Sequence, residues 1–177
     1  ANSGDRCYFC RVEMYDGMRA LAERHGLAAV ADGLQSEDSA EDRPGIRAAR
    51  ERGLIHPLRE TGFTKPEIRR LALAFGLRGL HEKPAQPCLA SRLPVGVEVT
   101  LERLARVERA ERALRELGFR ELRVRCEDAH GRIEIGVDEL AAAQSREPEL
   151  VAAALAAGFE SAALDPDGYR LGGAGYF

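Results

Sequence analysis

The spacing of apolar residues changes along the chain, and the first part alternates between two patterns. Apolar residues recur at helical spacing from Glu13 to His25, whereas Leu27–Ala31 and Leu54–Leu58 are short continuous apolar runs. Helical spacing predicts an amphipathic helix, and a short apolar run bounded by polar residues predicts a buried strand. Because helices that alternate with buried strands are typical of α/β proteins, we predict an α/β domain with a partial parallel sheet in residues 1–95.

Two further helices are predicted in this part. One spans about residues 44–53. The other follows Thr64, which is a favourable N-cap, and Glu67 completes a capping box with it. Asp32-Gly33 directly follows the first predicted strand, and ligands of open α/β sheets usually bind at that end of a strand.

The second part has a different order of elements, with two segments that alternate with period two and are joined by a turn. Such a pair predicts a β-hairpin. We predict that residues 96–177 form a smaller α+β domain of αββαβ order. Its elements are expected at Thr100–Leu117, Glu121–Cys126, Arg132–Ile135, Pro148–Ala157 and Ser161–Leu164.

Composition narrows the class of protein. The 177 residues include 26 basic and 29 acidic side chains, a net charge of -3, which argues against a general nucleic-acid or membrane-surface binder. No apolar run approaches the roughly 20 residues of a membrane span. The four cysteines are few and unevenly spaced, unlike a secreted disulfide framework, so we expect a cytoplasmic protein.

Cys88 is the first candidate for chemistry. Pro84, Pro87 and Pro94 deny its segment a continuous helix, so the cysteine is expected on a stiff loop. Ser91 and Arg92 follow, and a neighbouring guanidinium would favour the thiolate, the nucleophilic and metal-binding form of cysteine. The alternative is a small buried side chain beside a turn.

Two other groups of residues admit both a functional and a structural explanation. Arg123 and Arg125 share one face of the predicted hairpin, where they can bind a phosphate or carboxylate or can form a solvated face paired with Glu134. Cys7 and Cys10 form a CxxC pair, a spacing suited to metal, cluster or redox chemistry. The alternative is that this pair packs at the start of the first helix.

A series of short motifs, in order along almost the whole chain, resembles the LarE-type ATP-dependent sacrificial sulfur transferases of the adenine nucleotide alpha-hydrolase-like (PP-loop) superfamily. The motifs are Arg6–Arg11, Asp32-Gly33, Asp42–Gly45, His56–Leu58, Thr64–Arg69, Lys83–Ala85, Cys88–Arg92, Arg123–Arg125, Arg132–Glu134 and Gly168–Arg170.

The resemblance implies a function. Such enzymes use ATP with Mg²⁺ to adenylate a carboxylate of a pyridinium dicarboxylate mononucleotide, a precursor of the nickel-pincer cofactor. A cysteine that matches Cys88 attacks the acyl-adenylate and gives up its sulfur. Ser91, Arg92, Arg123 and Arg125 are then expected to bind the substrate. The resemblance also implies a homo-oligomer.

Some relatives instead hold a 4Fe-4S cluster on three cysteines, for which Cys7, Cys10 and Cys88 are the candidate set. The chain contains no SGGxDS pyrophosphate-loop motif, which the family would carry before residue 1. We therefore expect the chain to be truncated, to be one half of a split enzyme with a separate nucleotide-binding chain, or to retain only a binding role. A cluster-binding module and a non-catalytic oligomerisation fragment are the alternative functions.

Overall fold

The helices of the computed structural model account for much of the chain that it describes, residues 2–38, 44–81 and 87–169. The helices are α1 (Arg6–Arg24), α2 (Pro44–Glu51), α3 (Pro57–Glu60), α4 (Lys65–Ala74), α5 (Leu101–Glu116), α6 (Leu140–Ser145) and α7 (Glu147–Ala156). The strands are β1 (Leu122–Glu127), β2 (His130–Ile135) and β3 (Ser161–Leu164). No helix in the described ranges is both long and apolar enough to cross a membrane.

The contacts within the chain define two units. The N-terminal unit is Asp5–Pro84, and the C-terminal unit joins Ala1–Gly4 to Ala85–Phe177. The sequence predicts a boundary between residues 95 and 96, whereas the contacts place it between residues 84 and 85. Cys88 is therefore grouped with the C-terminal unit. The reason is that Leu93 is fully buried in the core of that unit.

In the N-terminal unit, α1 begins at Arg6 rather than at Glu13. The amides of Tyr8 and Phe9 both donate to the carbonyl oxygen of Asp5, which starts the helix before the apolar pattern becomes regular. Thus the CxxC segment is helical. The core of this unit is small and consists of Tyr15, Ala48, Ala49 and Leu54.

The two strands predicted in this unit are not formed in the residues that the structure describes. One isolated bridge joins Ala31 to Ile55 in parallel orientation. Pro57 occupies the first turn of α3, so the chain becomes helical shortly after the bridge and no strand extends beyond it. The bridge is parallel, but the strands predicted at Leu27–Ala31 and Leu54–Leu58 are wrong: each segment contributes one bridge residue, and Pro57 and Leu58 belong to α3.

The C-terminal unit has the predicted order of helix, strand, strand, helix and strand, with α6 as an additional short helix before α7. Its sheet order is β1-β2-β3; β1 and β2 are antiparallel, and β2 and β3 are parallel. Thr100 caps α5 by accepting the amide of Arg103 at 3.2 Å, as its position predicts.

The core of the C-terminal unit lies between one face of the sheet and the helices α5 and α7. Each large apolar side chain buried there contributes about 1.5–3 kcal/mol relative to an exposed one. The thiol of Cys126 belongs to this core, and burial raises its pKa. The other central side chains are Val107, Leu114, Leu122, Val124, Ile133, Ile135 and Leu150.

Candidate functional site

The thiol of Cys88 is exposed at the start of a single 3₁₀ turn, Leu89–Arg92. The amide of Ser91 donates to the Cys88 carbonyl oxygen at 3.0 Å and closes the turn. The turn therefore presents the thiol to solvent, in contrast to the buried thiol of Cys126.

The guanidinium of Arg92 holds the main chain on both sides of this thiol. Its Nη1 donates to the carbonyl oxygens of Pro87 at 2.9 Å and Cys88 at 3.2 Å, and to Ser91 Oγ at 3.0 Å. The residue is only 2% exposed. These contacts fix the backbone of the turn, whereas the sequence interpretation placed Arg92 against the thiol and the substrate.

Glu111 of α5 neutralises Arg92. Its two carboxylate oxygens accept from Arg92 Nε at 2.7 Å and Nη2 at 3.1 Å, a bidentate ion pair that is almost fully buried. Sequence reasoning missed this residue. Its signal was an acidic side chain within the buried stripe that contains Val107, Ala110 and Leu114, where an apolar side chain is expected.

Arg125 contacts the same turn from the sheet. Its Nη1 donates to the carbonyl oxygen of Ser91 at 3.0 Å, and its Nε donates to Glu134 Oε2 at 2.9 Å. Arg123 and Arg125 share one face of the hairpin, and Arg123 is paired across it with Glu134 in the strand register. Both arginines are buried, so the face is not the solvated one considered from the sequence.

Arg123 lies among both positive and negative groups. Its guanidinium carbon is 4.8 Å from the centre of the Tyr169 ring, and Nη1 donates to the Leu122 carbonyl oxygen at 2.6 Å. Burial, followed by the charge of Arg92, lowers the pKa of Arg123.

Arg132 extends the charged face toward β3. It donates to Glu127 at 2.8 Å, Glu134 at 2.8 Å and Asp165 at 2.7 Å. Burial alone would lower the pKa of Arg132, but the hydrogen bonds to Glu127 and Asp165 outweigh it and raise the pKa. Glu134 is thereby held between Arg125 and Arg132, which fixes its carboxylate.

The thiols of Cys7 and Cys10 are both exposed on α1 of the N-terminal unit. Residues three apart lie on the same side of a helix, so the pair can supply two ligands to one metal ion or cluster. Among the described residues, no group of three or more His, Cys, Asp or Glu side chains is placed to hold a metal ion.

A second polar cluster of the N-terminal unit surrounds Asp32, directly after the parallel bridge. The carboxylate is 2.7 Å from His56 Nδ1 and accepts from the Tyr15 hydroxyl at 3.2 Å. Burial, opposed by Arg11 and reinforced by Asp32, raises the pKa of Tyr15. Parts of three sequence motifs, Asp42-Arg43, Lys83–Ala85 and Arg170, lie outside the described residues.

The comparisons with known proteins identify relatives but no matching family model. The chain is 42% identical over 174 residues to an uncharacterized protein of Synechocystis and 27% identical over 169 residues to one of Methanocaldococcus jannaschii. These alignments cover 97% and 96% of the chain.

The name of a third relative states an enzymatic activity. The chain is 37% identical over 134 residues, 76% of its length, to pyridinium-3,5-bisthiocarboxylic acid mononucleotide synthase of Lactiplantibacillus plantarum. The chain spans 65% of the Synechocystis protein, 48% of the synthase and 66% of the archaeal protein. The chain is thus a relative of this synthase over about three quarters of its own length, in agreement with the LarE-type relationship inferred from its motifs.

Proposed function

We propose that this chain is the sulfur-donating part of an ATP-dependent sulfur transferase in nickel-pincer cofactor biosynthesis, and that Cys88 supplies the sulfur. The observation that carries the proposal is the exposed Cys88 thiol on a turn whose carbonyl oxygens are held by two buried arginines. The relationship to the pyridinium-3,5-bisthiocarboxylic acid mononucleotide synthase supports the same chemistry.

The proposed reaction has two steps at Cys88. Its thiolate attacks the carbonyl carbon of an adenylated pyridinium carboxylate, AMP leaves with the electron pair of the broken C–O bond, and a thioester forms. A base then removes the Cα proton of Cys88, and the Cβ–S bond breaks with its electrons moving to sulfur. The products are a thiocarboxylate on the substrate and dehydroalanine in the protein.

Arg123 and Arg125 are the residues that we assign to the negative groups of the substrate. A planar guanidinium presents paired donors that match a phosphate or a carboxylate. The two residues occupy the same face of the hairpin, and Arg125 also contacts the Cys88 turn through Ser91. In this proposal Ser91 and Arg92 act near the substrate by shaping the turn that carries the thiol.

The test uses this chain and a chemically prepared acyl-adenylate of the pyridinium dicarboxylate mononucleotide, which makes ATP unnecessary. Intact-mass measurement is expected to show that the protein loses the elements of H₂S. Cys88→Ser is expected to keep its mass, and Cys7→Ser, which replaces another exposed cysteine, is expected to lose H₂S as the wild type does. An unchanged wild-type mass would overturn the proposal.

The activation step is proposed to depend on ATP and Mg²⁺ bound elsewhere than in the described part of this chain, either in a longer polypeptide or in a partner chain. We therefore expect this chain alone to release no AMP from ATP with the substrate. AMP formation in stoichiometric amount by the chain alone would contradict this. We also propose that the protein is a cytoplasmic homo-oligomer. Light scattering of the purified protein tests its oligomeric state.

A 4Fe-4S cluster that uses the exposed thiols of Cys7 and Cys10 is the competing proposal. The exposed pair one turn apart on α1 is the observation that keeps this use open. The absorbance spectrum of anaerobically purified protein separates the two proposals. Cluster absorbance that disappears in Cys10→Ser would assign Cys10 to a cluster, whereas its absence together with H₂S loss from the wild type would support sulfur donation by Cys88.

A further inference from the structure

The Cys88 turn is held in place by a network of charged side chains, some of which lie far from the turn in the sequence. Three acceptors of the segment, the carbonyl oxygens of Pro87 and Cys88 and the Ser91 hydroxyl, bind a single nitrogen, Nη1 of Arg92. One guanidinium therefore sets the position of the backbone before and after the Cys88 side chain. Any rotation of that guanidinium would disturb all three hydrogen bonds.

Glu111 determines the orientation of this guanidinium. It binds the two remaining nitrogens, Nε and Nη2, so that all three nitrogens of Arg92 are engaged. Glu111 is itself fixed, because Oε1 also accepts the amide of Val124 at 3.2 Å and Oε2 also accepts from Arg115 at 2.9 Å. Four donors thus occupy the roughly four acceptor sites of the carboxylate.

The arrangement connects three elements through one side chain. Glu111 lies on α5, Val124 lies on the outer strand β1, and Arg92 ends the Cys88 turn. A series of direct hydrogen bonds therefore links α5 and β1 to the backbone of Cys88. The positions of these two elements thus influence the position of that backbone. No flexible side chain in solvent intervenes in this path through the described residues.

Stability alone is a poor explanation for such a pair. Replacing a buried ion pair by uncharged residues of similar volume is often neutral or stabilising, because two charges must be desolvated to form it. Geometry is a better explanation, since an error of about 1 Å in the position of a reacting group can slow a reaction about 10²-fold.

We propose that Glu111 is a positioning residue for Cys88, acting through Arg92. This proposal rests on the proposed function for its effect on sulfur transfer, but its effect on the Cys88 turn is independent of that function. Glu111→Gln replaces one acceptor oxygen by an NH₂ donor and leaves Arg92 with a buried, uncompensated charge. The turn is then expected to loosen while the thiol stays exposed.

The first measurement is single-turnover sulfur transfer from the prepared acyl-adenylate. Glu111→Gln is expected to lower the rate constant about 10–100-fold, with little change in the substrate concentration needed for half-saturation. Alkylation of Cys88 by iodoacetamide, a freely diffusing reagent that needs no fixed thiol, is expected to stay at the wild-type rate. An equal loss in both reactions would overturn a positioning role.

A double variant separates positioning from stability. Arg92→Met/Glu111→Gln removes both buried charges and keeps an amide oxygen that can accept from Val124. Its stability is expected to recover relative to Glu111→Gln, as for other uncharged replacements of buried pairs, while sulfur transfer stays slow. Recovery of the transfer rate together with stability would mean that the pair is merely structural and would overturn the proposal.

Amide hydrogen exchange distinguishes failure of this inference from failure of the proposed function. The amides of Ser91 and Leu93 donate to Cys88 and Ala90 within the turn, so their protection reports its order. Faster exchange in Glu111→Gln is expected whether or not the wild type transfers sulfur. Unchanged exchange would overturn the positioning role alone, and a wild type that loses no H₂S would overturn the proposed function alone.

Discussion

Gly168 passes so close to Ile135 that no larger residue fits in its place. A Cβ atom added to Gly168 would lie 2.7 Å from the carbonyl oxygen of Ile135. The same oxygen accepts the amide of Tyr169 at 2.7 Å. Gly168 also has a positive φ of 70°, which side-chain-bearing residues rarely adopt. The close approach is what brings the Tyr169 ring to the guanidinium of Arg123.

Gly168→Ala is therefore expected to destabilise the C-terminal unit and to displace Tyr169. The matched control is Gly118→Ala, which also has a positive φ but no atom within 4 Å of the added Cβ. The control should cost about 1–2 kcal/mol of unfolding free energy from backbone strain alone. Urea denaturation should show a larger loss for Gly168→Ala, and equal losses would contradict the steric argument.

The buried carboxylate of Glu134 holds Arg125 and Arg132 together. Glu134→Gln would leave two guanidiniums beside a neutral amide. Removal of one partner of a buried ion pair typically lowers the free energy of unfolding by about 3–5 kcal/mol. Urea denaturation of the full chain measures the loss. Glu149→Gln breaks an exposed pair with Arg146 and is expected to leave stability nearly unchanged, so equal effects would mean that burial of Glu134 is unimportant.

The elements that sequence could predict are those specified by neighbouring residues. Thr64 with Glu67 and Thr100 with Arg103 begin helices where local capping predicts them. The period-two pattern also predicts correctly that Arg123 and Arg125 share one face of the hairpin. Helix capping and the alternation of apolar and polar residues depend on only a few neighbouring residues. These parts of the fold can therefore be predicted without knowledge of distant contacts.

The site was less predictable because its partners are far apart in sequence. Arg92 is 19 residues from Glu111, and Arg125 is 34 residues from Ser91. Arginine is the prevailing basic residue of this chain, so an individual arginine carried little signal. The strand near Leu54 failed as a prediction for a related reason, since an apolar run does not reveal whether enough partners exist to extend a single bridge into a strand.

Arg123 is expected to recognise the phosphate of the proposed mononucleotide substrate. Arg123→Met removes a charged donor, and hydrogen bonds to charged groups are worth about 1.5–3 kcal/mol. Binding of the mononucleotide, measured by calorimetry, should weaken about 10–150-fold, while binding of the nucleoside without phosphate should change little. Arg112→Met, at an exposed position of α5, is the control. Equal weakening of both ligands by Arg123→Met would contradict phosphate recognition.

Tyr15 should make the stability of the protein depend on alkaline pH. Burial is the main cause of its raised pKa, so the native state holds the hydroxyl proton more tightly than the unfolded state, whose tyrosine pKa is about 10. The resulting stability is fully present below pH of about 10 and is lost as the pH rises toward the native pKa. Urea midpoints of the wild type and Tyr15→Phe should therefore differ by a constant amount at pH 7–9, and above pH of about 10 the wild type should lose stability faster than the variant. Parallel curves throughout this range would show that the Tyr15 hydroxyl has the same proton affinity in both states.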